Sequence, residues 1–212
     1  TASFLGAYGN SIAKTPHIDA LAERSTVFDS AYCNFPLCAP SRFSMMSGQL
    51  ASKIGAYDNG AEFPSSIPTF AHYLRTAGYQ SSLVGKMHFV GADQMHGFEE
   101  RLTTDIYPAD FNWTGDWTEI TPKFANDARS FKQAGVCARN VQMDYDEEVC
   151  HRASRKLYEL ARSDDDRPFF MLTSFTHPHD PYQCSHEHWE RYHHDDIVPS
   201  VHDYIDRDHG GE

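Results

Sequence analysis

Pro168-Phe169-Phe170-Met171-Leu172-Thr173-Ser174-Phe175 is an unbroken run that follows a proline and shows no polar alternation. Such a run predicts a strand covered on both faces, the pattern of a parallel sheet rather than of a half-solvated antiparallel one. Upstream of it, Tyr145, Val149, Ala153, Leu157 and Leu160 recur at helical spacing, and Asp164-Asp165-Asp166 closes that helix as a solvated acidic turn. Ser66-Ile67-Pro68 opens an earlier helix whose apolar face is Phe70, Leu74 and Ala77, with Gly78 as its stop and Tyr79 to Val84 as the strand that follows. Thr15-Pro16 reads as an N-cap and first helical position, with Ile18, Leu21 and Ala22 inward, an end near Ser25 and a short strand at Val27-Phe28. Helices alternating with buried strands predict an α/β fold with a mostly parallel central sheet flanked by helices.

Sheets of this kind bind ligands at the carboxyl ends of their strands. Lys86 and His88 follow the strand ending near Val84, and His177 and His179 follow the strand ending near Phe175. Between Met95 and Val141 the chain is rich in Gly, Pro, Asp and aromatics without periodicity, which predicts a long excursion around a site. A length of 212 residues allows one or two domains, and one is favoured.

The net charge is −12, from 18 basic and 30 acidic residues, which argues against nucleic acid as a partner and favours a neutral or cationic substrate portion. No apolar run approaches the ~20 residues that cross a bilayer, so no membrane partner is expected. The five cysteines, at 33, 38, 137, 150 and 184, have no regular metal spacing and are too few for a disulfide scaffold. They tilt the reading toward a reducing, cytoplasmic compartment.

Cys38-Ala39-Pro40-Ser41-Arg42-Phe43-Ser44-Met45-Met46-Ser47-Gly48 carries the densest chemistry. Pro40 suits a first helical turn and Gly48 a stop, so residues 40–47 are predicted as a short helix with Cys38 at its N-terminal mouth, where free N–H groups favour an anion. Arg42, four residues on, shares the face of Cys38. Taken alone, a cysteine here reads more readily as a buried or disulfide-bonded residue beside a turn-forming proline. The whole segment resembles the active-site signature of type I sulfatases, in which the cysteine is oxidised to formylglycine. Gly85-Lys86-Met87-His88 resembles that family's Gly-Lys-x-His segment, and Thr176-His177-Pro178-His179-Asp180-Pro181-Tyr182 its Pro-His-x-Pro segment.

The resemblance implies a sulfatase-like, alkaline-phosphatase-type fold and hydrolysis of a small-molecule sulfate monoester. One hydroxyl of the hydrated aldehyde would attack sulfur and expel the alcohol; the other, once deprotonated, would collapse to the carbonyl and release sulfate. Lys86 would contact a sulfuryl oxygen, His88 would orient or deprotonate the hydrate, Arg42 would hold its anionic form, and His179 would be the general acid, with His177 lining the same site. Ser41 would be read by a formylglycine-generating maturation enzyme.

The resemblance also implies a divalent cation, expected to be Ca²⁺, bound by oxygen ligands including the formylglycine made from Cys38. Its acidic ligands are expected outside this chain. Asp208-His209-Gly210 looks superficially like a later ligand pair but follows a charged stretch rather than an apolar strand. Members of the family are generally much longer. Residues 1–212 are therefore expected to form the N-terminal part of a sulfatase catalytic domain, without its first strand and C-terminal part.

Tyr107-Pro108-Ala109-Asp110-Phe111-Asn112-Trp113 and the segment around His179 look closest to the choline-sulfatase branch. Trp113 could face a quaternary ammonium, a contact worth ~0.5–2 kcal/mol, or simply pack within the loop. Thr118 to Phe131 lacks the His-Asn pair of that branch, so a sulfated sugar stays open as the substrate, as does a phosphonate or phosphate monoester. A zinc site formed by His177, His179, His186, His188, His193 and His194, or a binding protein with unmodified Cys38, are the other readings. A homo-oligomer is left open.

Overall fold

A computed structural model of the chain describes residues 2–107, 109 and 128–197. In chain order these form α1 (Pro16–Ala22), α2 (Cys38–Ser47), α3 (Ala51–Ile54), α4 (Phe70–Thr76), β1 (Gln80–Gly85) and β2 (Glu100–Arg101). There follow β3 (Gly135–Val136), α5 (Val141–Ala161), β4 (Phe169–Ser174), β5 (Gln183–Cys184) and α6 (His186–Trp189). The described residues fall into two compact units, one from within residues 32–184 and one that joins residues 2–31 to residues 185–197.

In the larger unit β1 lies between β2 and β4, and both pairings are parallel. The predicted α/β class is the one observed. β3 and β5 form a second parallel pair. Successive residues of β1 point to opposite faces, so Leu83 joins one apolar cluster and Val84 the other. Behind Leu83, α2 contributes Ala39, Phe43 and Met46, which recur at intervals of three to four residues and are all buried. Phe43 stacks on Phe63 at 4.6 Å, and each fully buried Phe stabilises the fold by about 1.5–3 kcal/mol. Behind Val84, α5 inserts Tyr145, Val149 and Ala153. The sheet is thereby covered on both faces, with α2 and α5 held against it.

The predicted boundaries shift slightly. α2 begins at Cys38 itself and ends at Gly48, whose φ of 69° closes it in the left-handed conformation. α4 begins at Phe70, after an N-cap at Thr69, rather than at Ser66 to Pro68. β4 is parallel as predicted but only partly buried, and Phe169 is exposed, because it pairs along β1 alone among the described strands. The expected strand at Val27-Phe28 is not formed. Both side chains are exposed, and the Phe28 carbonyl accepts a hydrogen bond from the Tyr8 hydroxyl instead of from a sheet neighbour. β2 and β3 lie inside the stretch read as irregular, since two-residue strands leave no periodicity to detect.

In the smaller unit Thr15 precedes α1 as expected, but its hydroxyl bonds Asp19 and accepts the N–H of Gly6 at 3.0 Å. No described helix is long and apolar enough to cross a membrane.

The exit of β1 depends on Gly85. Its φ is 108°, and a β-carbon there would sit 2.0 Å from the Ser174 carbonyl oxygen on β4. Lys86 N–H donates to that same oxygen at 2.9 Å. Gly85→Ala is expected to cost roughly 2–5 kcal/mol through backbone strain and overpacking. Urea unfolding measures this, and a loss below ~1 kcal/mol would show that the two strand ends are not this tightly engaged.

Candidate active site

Cys38 is the first residue of α2 and is partly buried. Leu37, the N-cap, has no side-chain acceptor, so the free N–H of Ala39 is capped from a distance by the side-chain Oδ1 of Asn59 at 3.0 Å. Arg42, one turn on, donates from Nη1 to the Lys86 carbonyl at 3.3 Å and to the Ser174 hydroxyl at 3.2 Å. It thus bridges the exits of β1 and β4, while its Nε is buried without a hydrogen-bond partner.

Lys86 and His88 lie immediately beyond β1 and are 1% and 2% exposed. A lysine buried to this degree needs electrostatic compensation. Here its ammonium lies 4.4 Å from the centre of the Tyr107 ring. Burial lowers the Lys86 pKa, opposed by negative charge at Cys38, Asp105 and Asp180 and reinforced by Arg42. His88 stacks on the same ring, with its centre 4.9 Å from that of Tyr107. Burial pushes the His88 pKa down to about 4, helped by Lys86, Arg42 and His179 and opposed by Asp105, so the imidazole is neutral at pH 7. Burial, with the negative charges of Cys38, Asp180 and Asp105, pushes the Tyr107 phenol up to about 12.

The Tyr107 hydroxyl reaches His179 Nε2 at 3.4 Å. On its other side His179 Nδ1 is 2.8 Å from both the carbonyl and a carboxylate oxygen of Asp180, an arrangement suited to donation from Nδ1 that leaves Nε2 for chemistry. His177 is engaged by Asp146 of α5: Nδ1 lies 2.7 Å from the carboxylate, which also accepts the N–H groups of Thr176 and His177 at 2.6 and 3.0 Å. Lys86, His88 and His179 therefore meet around Tyr107, with His177 on the adjoining turn; Arg42 joins them through the Lys86 carbonyl, and Cys38 opens the helix that bears Arg42. Trp113 and Asp208-His209-Gly210 lie outside the described residues.

Asn59, Arg101, Asp105, Tyr107 and Asp146 were not singled out as site residues from the sequence. Tyr107 and Asp105 follow β2, so the strand-end rule would have found them had so short a strand been visible. Asp146 sits in an acidic helical run, Asp144 to Glu148, with nothing to distinguish it from its solvated neighbours.

The family model described as Sulfatase matches residues 1–206. The chain is a member of the sulfatase family. This sulfatase is 53% identical over 183 residues to a choline-sulfatase of Rhizobium meliloti (strain 1021), covering 84% of this chain and 36% of that protein. It is 31% identical to the human N-sulphoglucosamine sulphohydrolase over 85% of this chain and 30% of that protein. Its fold is similar to that of the phosphonate monoester hydrolase of Agrobacterium radiobacter, with a TM-score of 0.65 at 18% identity, over 93% of this chain and 43% of that one. The chain spans about a third of the length of the curated relatives it matches.

Among the described residues no three His, Cys, Asp or Glu side chains are grouped to hold a metal ion. His186 instead pairs with Glu190 and His188 with Ser185. The residues described here do not by themselves make a calcium site, and no chemical step is assigned to one.

His88 sets a pH dependence whose sign follows from its depressed folded-state pKa. Between about 4 and the ordinary 6.5 the unfolded chain takes up a proton that the folded chain does not, so stability is lost as pH falls through this window. His96, wholly buried between Phe63 and Phe89 with its pKa lowered by burial, acts in the same direction. His88→Gln is expected to reduce the slope of stability against pH there by up to one proton, about 1.4 kcal/mol per pH unit. Urea titrations at several pH values test this; an unchanged slope would mean that His88 is protonated in the folded protein.

Proposed function

We propose that this sulfatase hydrolyses a sulfuric ester of a small alcohol, with formylglycine at position 38. The observation that carries the proposal is the convergence of two fully buried basic side chains, Lys86 and His88, and of His179 around the Tyr107 ring, with Arg42 hydrogen-bonded to the Lys86 carbonyl. A buried lysine is costly to maintain, and a site that receives an anion gives that cost a purpose. Formylglycine would supply a hydrated aldehyde as the nucleophile and the means of releasing sulfate.

The remaining roles belong to this chain's own side chains. Lys86 binds a sulfuryl oxygen as a point charge. Arg42 fixes the turn that bears Lys86 and offers its guanidinium to the anion. His88, neutral at pH 7, accepts a proton from the nucleophile. His179, held through Nδ1, passes a proton from Nε2 to the ester oxygen as the S–O bond breaks, so that the alcohol leaves neutral.

Choline sulfate is the substrate we favour, supported by the 53% identity to a protein named choline-sulfatase and by Trp113 as a ring for the quaternary ammonium. Ca²⁺ is the divalent cation we favour, with ligands beyond the described residues. A formylglycine-generating enzyme is the partner the reading requires.

Turnover by the full-length protein of choline sulfate, a sulfated monosaccharide and a matched phosphonate monoester tests the assignment. Choline sulfate is expected to be the preferred substrate, with Lys86→Ala lowering kcat/KM roughly 10²–10³-fold and Cys38→Ala abolishing turnover. Faster turnover of the phosphonate would reassign the reaction, faster turnover of the sugar ester would reassign the alcohol, and binding of choline sulfate without turnover would make the protein a receptor.

A further inference from the structure

We propose that Asp105 is a positioning residue for Lys86 and His88, and that Arg101 holds it in place. The proposal deepens the reading of the site as that of a sulfuric ester hydrolase and rests on it. A single oxygen, Oδ2 of Asp105, accepts the N–H groups of Met87 at 2.8 Å and His88 at 2.7 Å, together with Nη2 of Arg101 at 2.9 Å. Its other oxygen accepts the N–H of Tyr107 at 3.3 Å. One carboxylate therefore links the turn that carries both basic groups to the residue whose ring they face.

That turn needs such an anchor. His88 has φ 58°, in the left-handed region that a non-glycine residue occupies only when its surroundings hold it there. The N–H groups of residues 87 and 88 are directed at one point, and an anion at that point fixes the peptide planes and hence the directions in which Lys86 and His88 leave the backbone. Asp105 is 2% exposed and Arg101 7%, so the pair is shielded from solvent. Arg101 is itself fixed, donating to the Gln94 carbonyl and side-chain oxygens and, through Nε, to the Thr103 carbonyl. The exit of β4 uses the same device, Asp146 accepting the consecutive N–H groups of Thr176 and His177.

The proposal separates Asp105 from a residue that merely stabilises the fold, because its effect should pass through His88. In the full-length protein, Asp105→Asn is expected to speed amide exchange at Met87 and His88 roughly 10–100-fold while leaving α5 unchanged. It is also expected to lower kcat/KM for choline sulfate about 10–100-fold in the wild-type background but less than about 3-fold in a His88→Ala background. Asp105→Glu keeps the charge beside Arg101 while moving the carboxylate, and is expected to show the same pattern, which covers the case in which the Asn variant does not fold. Equal losses in both backgrounds, or unaltered exchange at residues 87 and 88, would overturn the proposal. If the wild-type protein does not turn over any sulfate ester, the functional reading falls, whereas the exchange measurement still decides whether Asp105 holds this turn.

Discussion

The parallel seam where β1 ends against β4 is the constraint on which the site depends. Gly85 brings its backbone so close to Ser174 that no side chain fits, and the next residue donates its N–H to the Ser174 carbonyl. Two loops from distant parts of the chain therefore leave the sheet side by side. One delivers Lys86 and His88, the other His177 and His179, and Arg42 reaches from α2 to hydrogen-bond both strand ends. Without the seam, the two loops would have no common frame, because Lys86, His88, His177 and His179 all lie on irregular backbone.

The second theme is the burial of charge. Lys86 and His88 are among the least exposed residues of the chain, and burial opposes protonation of each. The outcomes differ because the surroundings differ: Lys86 has an aromatic face and three sources of negative charge, whereas His88 is surrounded chiefly by cationic groups besides Asp105. Two buried basic side chains with differently balanced surroundings thus stand two residues apart on one turn, and His88 is neutral at pH 7. Asp105 and Asp146 each accept consecutive backbone N–H groups, so that each carboxylate orients the turn it faces.

Much of this was legible in the residues. The run from Phe169 and the recurrence at helical spacing from Tyr145 identify β4 and α5, and punctuation by Pro40 and Gly48 frames α2, because long periodic elements and their caps are written locally. Cys38, Lys86, His88 and His179 were singled out as candidates by motif spacing, the last three also by their position after strands. The partners that hold them were not. Asp105, Tyr107 and Asn59 act through contacts with residues 17–72 positions away, and their own neighbourhoods carry no period or motif. Val27-Phe28 was misread for the converse reason: a β-favouring pair forms a strand only where a neighbour offers a backbone to it.

The central claim is that position 38 is the nucleophile of a formylglycine site, and mass spectrometry of the peptide containing Cys38 tests it most directly. The protein would be co-expressed with formylglycine-generating enzymes of the aerobic and the anaerobic type. The account predicts conversion of the thiol to an aldehyde, read as the corresponding mass change and trapped by a carbonyl reagent. A thiol that persists with both enzymes would contradict it.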